Sequence, residues 1–501
     1  MIRGLLIAGV ALVPLAAPAG AETLREALLR AYESNPQITG QRAAQRALDE
    51  DVPIRRADGK PSADAQGQLQ EFLVIPGNQF ATAPRQLFGQ AQVGVPLYQG
   101  GAVRNSVRAA ETRVEAGRAQ LRGTEANLFT NVVAAYMDVI RDDAVVALNR
   151  QNVRVLEVNA GASRDRFEVG DLTRTDVAQS EARLAIARAQ LQQAEAQLIA
   201  SREDYINFVG TPAGRLQDPP PLPNLPSTPE QAVAVAIEDN PALQAAMAER
   251  NARRFDTGVA RAGRLPRVGA SIGGSYSSFL GSVPSGGFTQ NSATAATAGL
   301  NMSLPIFQGG RPAAQVRQAQ ARESQAIENV TLQERNAVSQ TRSALAIYRG
   351  SVEVIGSSEV AVNANKLALE GVRAENGVGT RTVLEVLNAE QELLNSQVTL
   401  VTARRDAYVA GFALLAAMGN AEARDLGLGG GALYDPTVNY RRVRGKIWDF
   451  GGDPTPVAVA TGTATTPAQG AEVSRSLDPL LDSGVDRRPG LTTGNDAPDR
   501  R

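Results

Sequence analysis

The segment VPLYQGG at residues 95–101 returns 209 residues later as LPIFQGG at residues 304–310. Three further markers recur in the same order: Val169-Gly170 as Val378-Gly379, Asn35-Pro36 as Asn240-Pro241, and Pro61 as Pro266. Self-similarity at a fixed spacing indicates a duplicated structural unit. The chain therefore reads as a first repeat over residues 22–211, a Pro-rich linker over 212–228 and a second repeat over 229–424.

The amino terminus has the pattern of a secretory signal peptide. Arg3 precedes an apolar run from Leu5 to Ala17, and small residues follow at Ala19-Gly20-Ala21. The run is shorter than the ~20 residues that a membrane-spanning helix needs. We therefore expect residues 1–21 to be removed on export and the mature chain to begin at Glu22.

Composition argues against several classes of function. The 501 residues include no Cys and no His, which removes thiolate nucleophiles and the commonest general base and zinc ligand. The formal net charge is −1 and no basic block is present, so nucleic acid is not a predicted partner. We predict no catalytic residue, no cofactor and no metal site.

Each repeat contains a predicted β-hairpin, over about residues 62–98 and 267–306. Apolar residues alternate with small or polar residues from 87 to 97 and from 296 to 306. Weaker strands over 62–75 and 267–280 precede them, and turn-rich tips lie at 76–84 and 281–291. One interpretation is a soluble β-sandwich. The uncharged polar faces favour transmembrane strands, and four strands are too few to close a barrel, so two or three chains would have to pool them.

Long helical segments follow each hairpin, over about residues 101–209 and 313–418, each comprising an outward helix and a shorter return helix. An outward helix of some 65 residues would be about 100 Å long. In the second repeat, apolar residues from Val338 to Leu369 follow a coiled-coil spacing that Glu359 and Lys366 interrupt. Residues 425–450 form a C-terminal segment, and the Gly-, Pro- and Thr-rich residues 451–501 are predicted to be a disordered tail.

These features together resemble the TolC family of outer-membrane channel-tunnel proteins. The most specific part of the resemblance is VGTRTVLEVLN at residues 378–388, and VGDLTRTDV at 169–177 resembles the other helical turn. The resemblance implies a mixed α/β, mainly α fold, in which four transmembrane strands per protomer form a trimeric 12-stranded barrel. Below it would stand a long periplasmic α-helical coiled-coil barrel.

The same resemblance implies a location in the cell outer membrane with a large periplasmic part. It also implies a homotrimer, a periplasmic adaptor protein and an inner-membrane pump of the ABC or RND type. The implied function is export of small molecules or secreted polypeptides in a tripartite efflux or type I secretion system.

The resemblance places an entrance gate at the two helical turns. The polar links that hold the family's entrance closed fall on Thr175, Asp176 and Arg381, and an aromatic member of that pattern falls on Asn376. A guanidinium can donate to several acceptors at once, so Arg381 could tether one helix pair to its neighbour and still release.

Two ring positions and four adaptor contacts follow from the same resemblance. The inward carboxylates that ring the family's entrance fall on Glu385 and Asn388, so we expect a single carboxylate ring. Converging Glu385 side chains should attract cations and raise one another's pKa. The adaptor contacts fall on the two Val-Gly turns, whose glycines could alternatively serve only to end helices. These contacts are Val169, Gly170, Val378 and Gly379.

Two alternatives remain at this point. A non-conducting periplasmic coiled-coil protein would explain the long helices and leave the four strands without a purpose. A periplasmic enzyme using clustered carboxylates would need a pocket that the repeats do not suggest.

Overall fold

The computed structural model describes residues 21–74, 85–223, 225–280, 292–429, 433–451 and 455–482. The predicted signal peptide, apart from Ala21, lies outside these residues, as do both predicted hairpin tips, 76–84 and 281–291. Among the described helices, none combines the length and apolarity required to cross a membrane.

The two repeats have the same order of elements. The first consists of α1 (Leu24–Ser34), α2 (Pro36–Ala57), β1 (Ser62–Glu71), β2 (Arg85–Gln99), α3 (Ala102–Glu168) and α4 (Arg174–Val209). The second consists of α5 (Pro229–Asp239), α6 (Pro241–Ala262), β3 (Arg267–Leu280), β4 (Ser292–Ser303), α7 (Arg311–Gly377) and α8 (Val383–Met418). A short helix, α9 (Thr437–Val443), follows them. Helices α3 and α7 have 67 residues each, and α4 and α8 have 36 each, which confirms the predicted mainly helical, duplicated fold.

The two hairpins join into one antiparallel sheet of order β1-β2-β3-β4. Strand β2 of the first repeat pairs with β3 of the second, from Arg85 opposite Leu280 to Gln99 opposite Arg267. Strands β1 and β4 are therefore the two edges. The prediction of a strand to residue 306 was wrong: β4 ends at Ser303, which pairs with Arg267, the first residue of β3, so no partner strand lies beyond it. Strand β1 likewise ends at Glu71, four residues earlier than predicted.

The Gly-Gly pairs of the repeated segment turn each second strand into a long helix. Gly100 and Gly101 have φ of 62° and 82°, and Gly309 and Gly310 have φ of 57° and 81°. Residues with a Cβ rarely adopt this left-handed backbone. The turn at Gly100 is also crowded, since an added Cβ would lie 2.8 Å from the Cβ of Leu265.

Two equivalent asparagines explain the recurring Asn-Pro pairs. Asn35 caps α2 by accepting from the N–H of Gln37, and Asn240 caps α6 by accepting from the N–H of Ala242. Each side-chain amide also donates to the end of its repeat's return helix, Asn35 to the carbonyl of Phe208 at 2.8 Å and Asn240 to that of Ala417 at 3.0 Å. The following proline occupies the first helical turn, where its missing N–H costs nothing.

The core lies around the middle of α3, and α7 is much less covered. The main apolar cluster joins both repeats and includes Phe129, Tyr136, Tyr205 and Phe412. Helix α7 instead carries a series of exposed large apolar side chains: Ile327, Leu332, Ile347, Val352, Val354, Val360 and Leu367. The second outward helix therefore presents apolar surface that this chain does not cover.

The prediction of a disordered tail from residue 451 was wrong for residues 469–482, which pack against the helices. This stretch has no helix or strand, but Leu481 is 4% exposed and belongs to an apolar cluster with α3, α7 and α8. The amino-acid composition of the tail does not predict this packing, because few apolar side chains take part and most of the hydrogen bonds go to backbone groups of the tail.

Candidate entrance and gate

The two turns that join outward and return helices have the same backbone geometry. Gly170 has φ of 85° and Gly379 has φ of 82°. The N–H of Gly170 donates to the carbonyl of Phe167, and that of Gly379 to the carbonyl of Asn376, both at 3.0 Å. An added Cβ would meet nothing within 4 Å at either glycine, so the positive φ alone requires glycine there.

A valine stands exposed before each of these glycines. Val169 is 80% exposed and Val378 is 76% exposed. Phe167 is a further exposed apolar side chain at the first turn. Single exposed apolar residues are common, and these two occupy equivalent positions at the tips of two hairpins.

Asp176 and Glu385 are equivalent capping residues. Thr173 and Asp176 form a capping box at the start of α4, and Thr382 and Glu385 form one at the start of α8. In the second, the N–H of Thr382 donates to Glu385 Oε2 at 2.8 Å. The carboxylate of each box satisfies an N–H that the helix leaves without a partner.

These bonds lower the pKa of both carboxyls. The hydroxyl and backbone N–H of Thr173 lower the pKa of Asp176. The backbone N–H of Thr382, the Arg381 guanidinium and the Thr382 hydroxyl lower the pKa of Glu385 to about 2. Within one chain this is opposite to the rise predicted for converging carboxylates, because donors to the ionised form surround Glu385.

Arg381 lies between two carboxylates of its own turn. Its Nε donates to Glu375 Oε2 at 2.7 Å and its Nη1 to Glu385 Oε1 at 2.6 Å. Asn376 Nδ2 donates to the carbonyl of Arg381 at 2.8 Å. Among the described residues, no hydrogen bond joins Arg381 to Thr175 or Asp176 of the same chain. The structure thus groups Asn376, Arg381 and Glu385 in one turn and leaves the first-repeat gate residues in the other.

Asn388 takes part in a link that the sequence reasoning missed. Its Oδ1 accepts from Arg183 Nη2 at 2.7 Å, which joins α4 to α8 across the two repeats. The contact of Arg183 with Asn388 was not predicted, because neither the periodicity nor a motif of the sequence indicates which helices pack next to each other. The position predicted as an uncharged ring member is therefore next to a cation.

Buried polar contacts hold each hairpin together just before its turn. Ser163 and Ser180 share a buried hydrogen bond of 3.0 Å between α3 and α4. Arg373 on α7 pairs with Glu390 on α8 at 2.5 Å, and the Glu390 side chain is 2% exposed. These contacts make each turn the end of a rigid pair of helices.

A duplicated pair of helical hairpins joined to a four-stranded sheet with two free edges defines one subunit of an outer-membrane channel-tunnel. The family model for outer membrane efflux proteins matches residues 27–211 and again residues 232–420. The chain belongs to this family.

Known relatives agree with the assignment. The outer membrane efflux protein BepC of Brucella suis biovar 1 is 34% identical over 428 residues, which make up 85% of this chain and 91% of BepC. The alkaline protease secretion protein AprF of Pseudomonas aeruginosa is 28% identical over 296 residues, 57% of this chain and 60% of AprF. The crystal structure of the outer membrane protein VceC from Vibrio cholerae superposes with a TM-score of 0.67 at 22% identity, over 79% of this chain and 96% of VceC.

Membership confirms several predictions. The family's proteins are outer-membrane transport channels and not enzymes. They are homotrimers that work with periplasmic adaptor proteins and inner-membrane pumps in tripartite efflux and type I secretion systems. The alternatives of a non-conducting coiled-coil protein and of a periplasmic enzyme are thereby removed.

Proposed function

We propose that this chain forms the exit duct of an efflux system, that the turns at residues 169–176 and 378–385 surround its periplasmic entrance, and that small toxic molecules are its main cargo. The observation that carries the proposal is the identical geometry of the two turns: a left-handed glycine after an exposed valine, followed by a capping box. Each chain has two helical hairpins that end in turns of the same geometry, so a trimer has six equivalent turns around the entrance.

The sheet supports a duct built from several chains. Strands β1 and β4, of 10 and 12 residues, are unpaired edges within one chain. Unpaired backbone groups are very costly in lipid, so β1 of one protomer must pair with β4 of the next. Three protomers then give a closed barrel of twelve strands, within the range of known membrane barrels.

The gate is assigned mainly to the second turn. The Arg381 guanidinium is bound by two exposed carboxylates, Glu375 and Glu385, so its bonds can exchange with acceptors on a neighbouring protomer such as Asp176. The first turn has Leu172 where the second has Arg381, and its own guanidinium groups stand elsewhere, at Arg174 and at Arg166, which pairs with Asp171. Thr175 is exposed beside Asp176 and can supply a further hydroxyl acceptor.

The Val-Gly turns are assigned to the adaptor. Val169 and Val378 lie at the tips of their hairpins, exposed, with open space around Gly170 and Gly379. A helical hairpin of an adaptor protein can approach the backbone closely at a glycine while burying the adjacent valine.

Efflux of small molecules is favoured over protein secretion by the extent of similarity. BepC, named an efflux protein, is similar along 91% of its length, whereas AprF, named a protease secretion protein, is similar along 60%. Polypeptide export by the same duct is the second candidate.

Two measurements test the proposal. Purified protein in planar lipid bilayers should form ion-conducting channels, and cells that lack the gene should become more sensitive to dyes and detergents until the wild-type gene is restored. A V169D/V378D double variant should insert and conduct normally yet fail to restore resistance, because it loses only the adaptor. Full resistance from that variant, or a wild-type protein that does not conduct, would contradict the assignment.

A further inference from the structure

Residues 469–482, which we call the strap, lie across the helices of both repeats. The strap has no helix or strand of its own, yet it accepts or donates hydrogen bonds with four of the long helices. Most of these bonds join side chains of the helices to backbone carbonyls of the strap, so the helix side chains determine where the strap binds.

The first half of the strap binds the α3–α4 hairpin. Asp143 of α3 is almost fully buried and accepts from the N–H of Ser474 at 3.0 Å and from that of Arg475 at 3.1 Å. Arg202 of α4 donates to the carbonyl of Glu472 at 2.7 Å. A buried carboxylate needs such donors, and here two of them come from the strap.

The second half of the strap binds the α7–α8 hairpin. Lys366 Nζ donates to the carbonyls of Leu480 and Asp482, at 2.6 Å and 2.9 Å. Gln397 of α8 is fully buried and donates to the carbonyl of Leu481 at 2.5 Å. Arg404 donates to Asp478 at 2.7 Å.

Leu481 supplies the apolar part of this second attachment. Its side chain fills a cluster formed by three helices: Leu148 of α3, Val362 and Leu369 of α7, and Leu393, Leu394, Leu400 and Val401 of α8. Lys366 interrupts the coiled-coil spacing. The strap explains this position, because the ammonium group donates hydrogen bonds to carbonyls of the strap.

The location of the second attachment relates the strap to the entrance. Lys366 precedes the end of α7 at Gly377 by 11 residues, or about 17 Å of helix. Between the attachment and the turn, the described polar link from α8 to the first repeat is the exposed bond between Arg183 and Asn388. Nearer the turn, Leu387 of α8 also packs in a buried cluster with Leu156 of α3 and Leu184 of α4. The strap therefore adds a further connection between the two hairpins on the side of this cluster away from the turn.

We propose that the strap is an autoinhibitory contact: it holds the α7–α8 hairpin against the α3–α4 hairpin in the closed state, and its second half must detach before the entrance opens. This inference rests on the proposed function of the turns. Detachment is feasible because Leu481 is deeply buried whereas Val473, Leu477 and Leu480 of the strap are only partly buried, and segments with few deeply buried contacts open most readily.

Conductance of the closed channel tests the strap. Leu481→Asp places a carboxylate in the apolar cluster and should raise closed-state conductance in planar bilayers severalfold. Val459→Asp, at a tail position that is 67% exposed, is the matched control and should leave conductance unchanged. A synthetic peptide of residues 469–482 should restore the low conductance of the L481D variant.

The controls separate the possible failures. Migration of the L481D protein as a trimer in gel filtration excludes misfolding. If Arg381→Ser raises the conductance and L481D does not, the gate assignment survives and the strap proposal is overturned. If neither does, the gate assignment fails as well.

Thiol labelling gives an independent test, because the chain contains no Cys. In wild-type background, Leu481→Cys should react with a maleimide at least tenfold more slowly than Val459→Cys, since reaction requires local opening. Addition of Arg381→Ser should accelerate labelling of the cysteine at 481 and not of that at 459. Equal labelling of the two cysteines in the closed trimer would contradict the proposal.

Discussion

Arg381 is the residue in which the two turns differ most. Leu172 occupies the equivalent position in the first turn. Only one of the two turns in each chain therefore has a guanidinium at this position. We expect Arg381→Ser to raise the closed-state conductance severalfold, because the donors to Glu375 and Glu385 are lost. Leu172→Ser is the matched control and should have no effect. Unchanged conductance of the R381S channel in planar bilayers would argue against a latch at this turn.

We expect Glu385 to contribute negative charge at the proposed entrance over most of the pH range. Because its pKa is about 2, the carboxylate stays ionised above that value. We expect cation preference to be constant from pH 7 to pH 4, and Glu385→Gln to reduce it at every pH in that range. Reversal potentials in a salt gradient measure the preference. Asp176→Asn, at the equivalent capping position, should reduce it less.

The capping interaction at Glu385 also has a defined pH dependence. The pKa of Glu385 in the folded protein lies below the usual glutamate value of 4.5, so the stabilisation is present above about pH 4.5 and is lost as the pH falls through 2. A fall in helix stability that begins near neutral pH would be inconsistent with this carboxylate.

Glu125 shows the opposite behaviour. It accepts from the N–H of Ala423 at 2.5 Å, and burial raises its pKa to about 7, with the neighbouring Glu422 and Asp425 adding to the rise and Arg42 opposing it. The raised pKa means that stability falls as pH rises from about 4.5 through 7, by at most about 3 kcal/mol.

Replacement of Glu125 by Gln tests this contribution. Glu125→Gln keeps an acceptor for Ala423 without a charge, so its melting temperature should change less between pH 5 and pH 8.5 than that of the wild type. Asp425→Asn removes a neighbouring carboxylate that adds to the rise, so it should reduce the pH dependence of melting, but by less than Glu125→Gln does. An identical pH dependence of melting in E125Q and wild type would refute the role of Glu125.

Among the helices, the Asn-Pro junctions are the local features that repeat most faithfully. Asn240 caps α6 and also donates to the carbonyl of Ala417 at the end of α8, as Asn35 does for α2 and α4. We expect Asn240→Ala to destabilise the protein by about 1–2 kcal/mol, the usual range for loss of an N-cap.

Calorimetry of purified trimers would measure the effect of N240A. Asn251→Ala, on the exposed face of the same helix, should lower the melting temperature much less. Because the Asn35 contacts are the same, N35A should cost a similar amount. A large difference between N35A and N240A would mean that the junctions are not energetically equivalent.

For the whole molecule, assembly and membrane insertion depend on surfaces that one chain leaves open. The apolar face of β4 includes the exposed side chains Leu300 and Met302, and the exposed apolar side chains of α7 add to this surface. We expect Leu300→Arg to destabilise the inserted trimer by about 2–4 kcal/mol if residue 300 lies at mid-depth in lipid. Asn301→Arg, on the other face of the same strand, should be tolerated.

Outer-membrane fractionation and the yield of trimer measure the outcome for Leu300 and Asn301. The L300R protein should be depleted from the outer membrane and the N301R protein should not. Equal insertion of both variants would mean that the alternation along β4 does not separate a lipid face from a water face.

Local features were predictable because they depend on a few neighbouring residues. The two-residue alternation of the strands and the Gly-Gly pairs were recognised in the sequence. The Asn-Pro caps and the capping boxes were not predicted, although they too follow from short-range hydrogen bonds. The duplication made these sequence patterns easier to recognise, since each pattern occurs once in each repeat. Recognition of the family then supplied the positions Thr175, Asp176, Arg381 and Glu385, whose roles at the entrance are still predictions.

Contacts between distant segments were decided only by the tertiary structure. The pairing of β2 with β3, the bond from Arg183 to Asn388 and the burial of Glu125 join residues far apart in the chain. The strap depends on one buried leucine and on carbonyl groups that every residue possesses, so its composition predicted disorder. Such contacts arise when the summed packing of long helices brings particular surfaces together, and no short stretch of sequence encodes that sum.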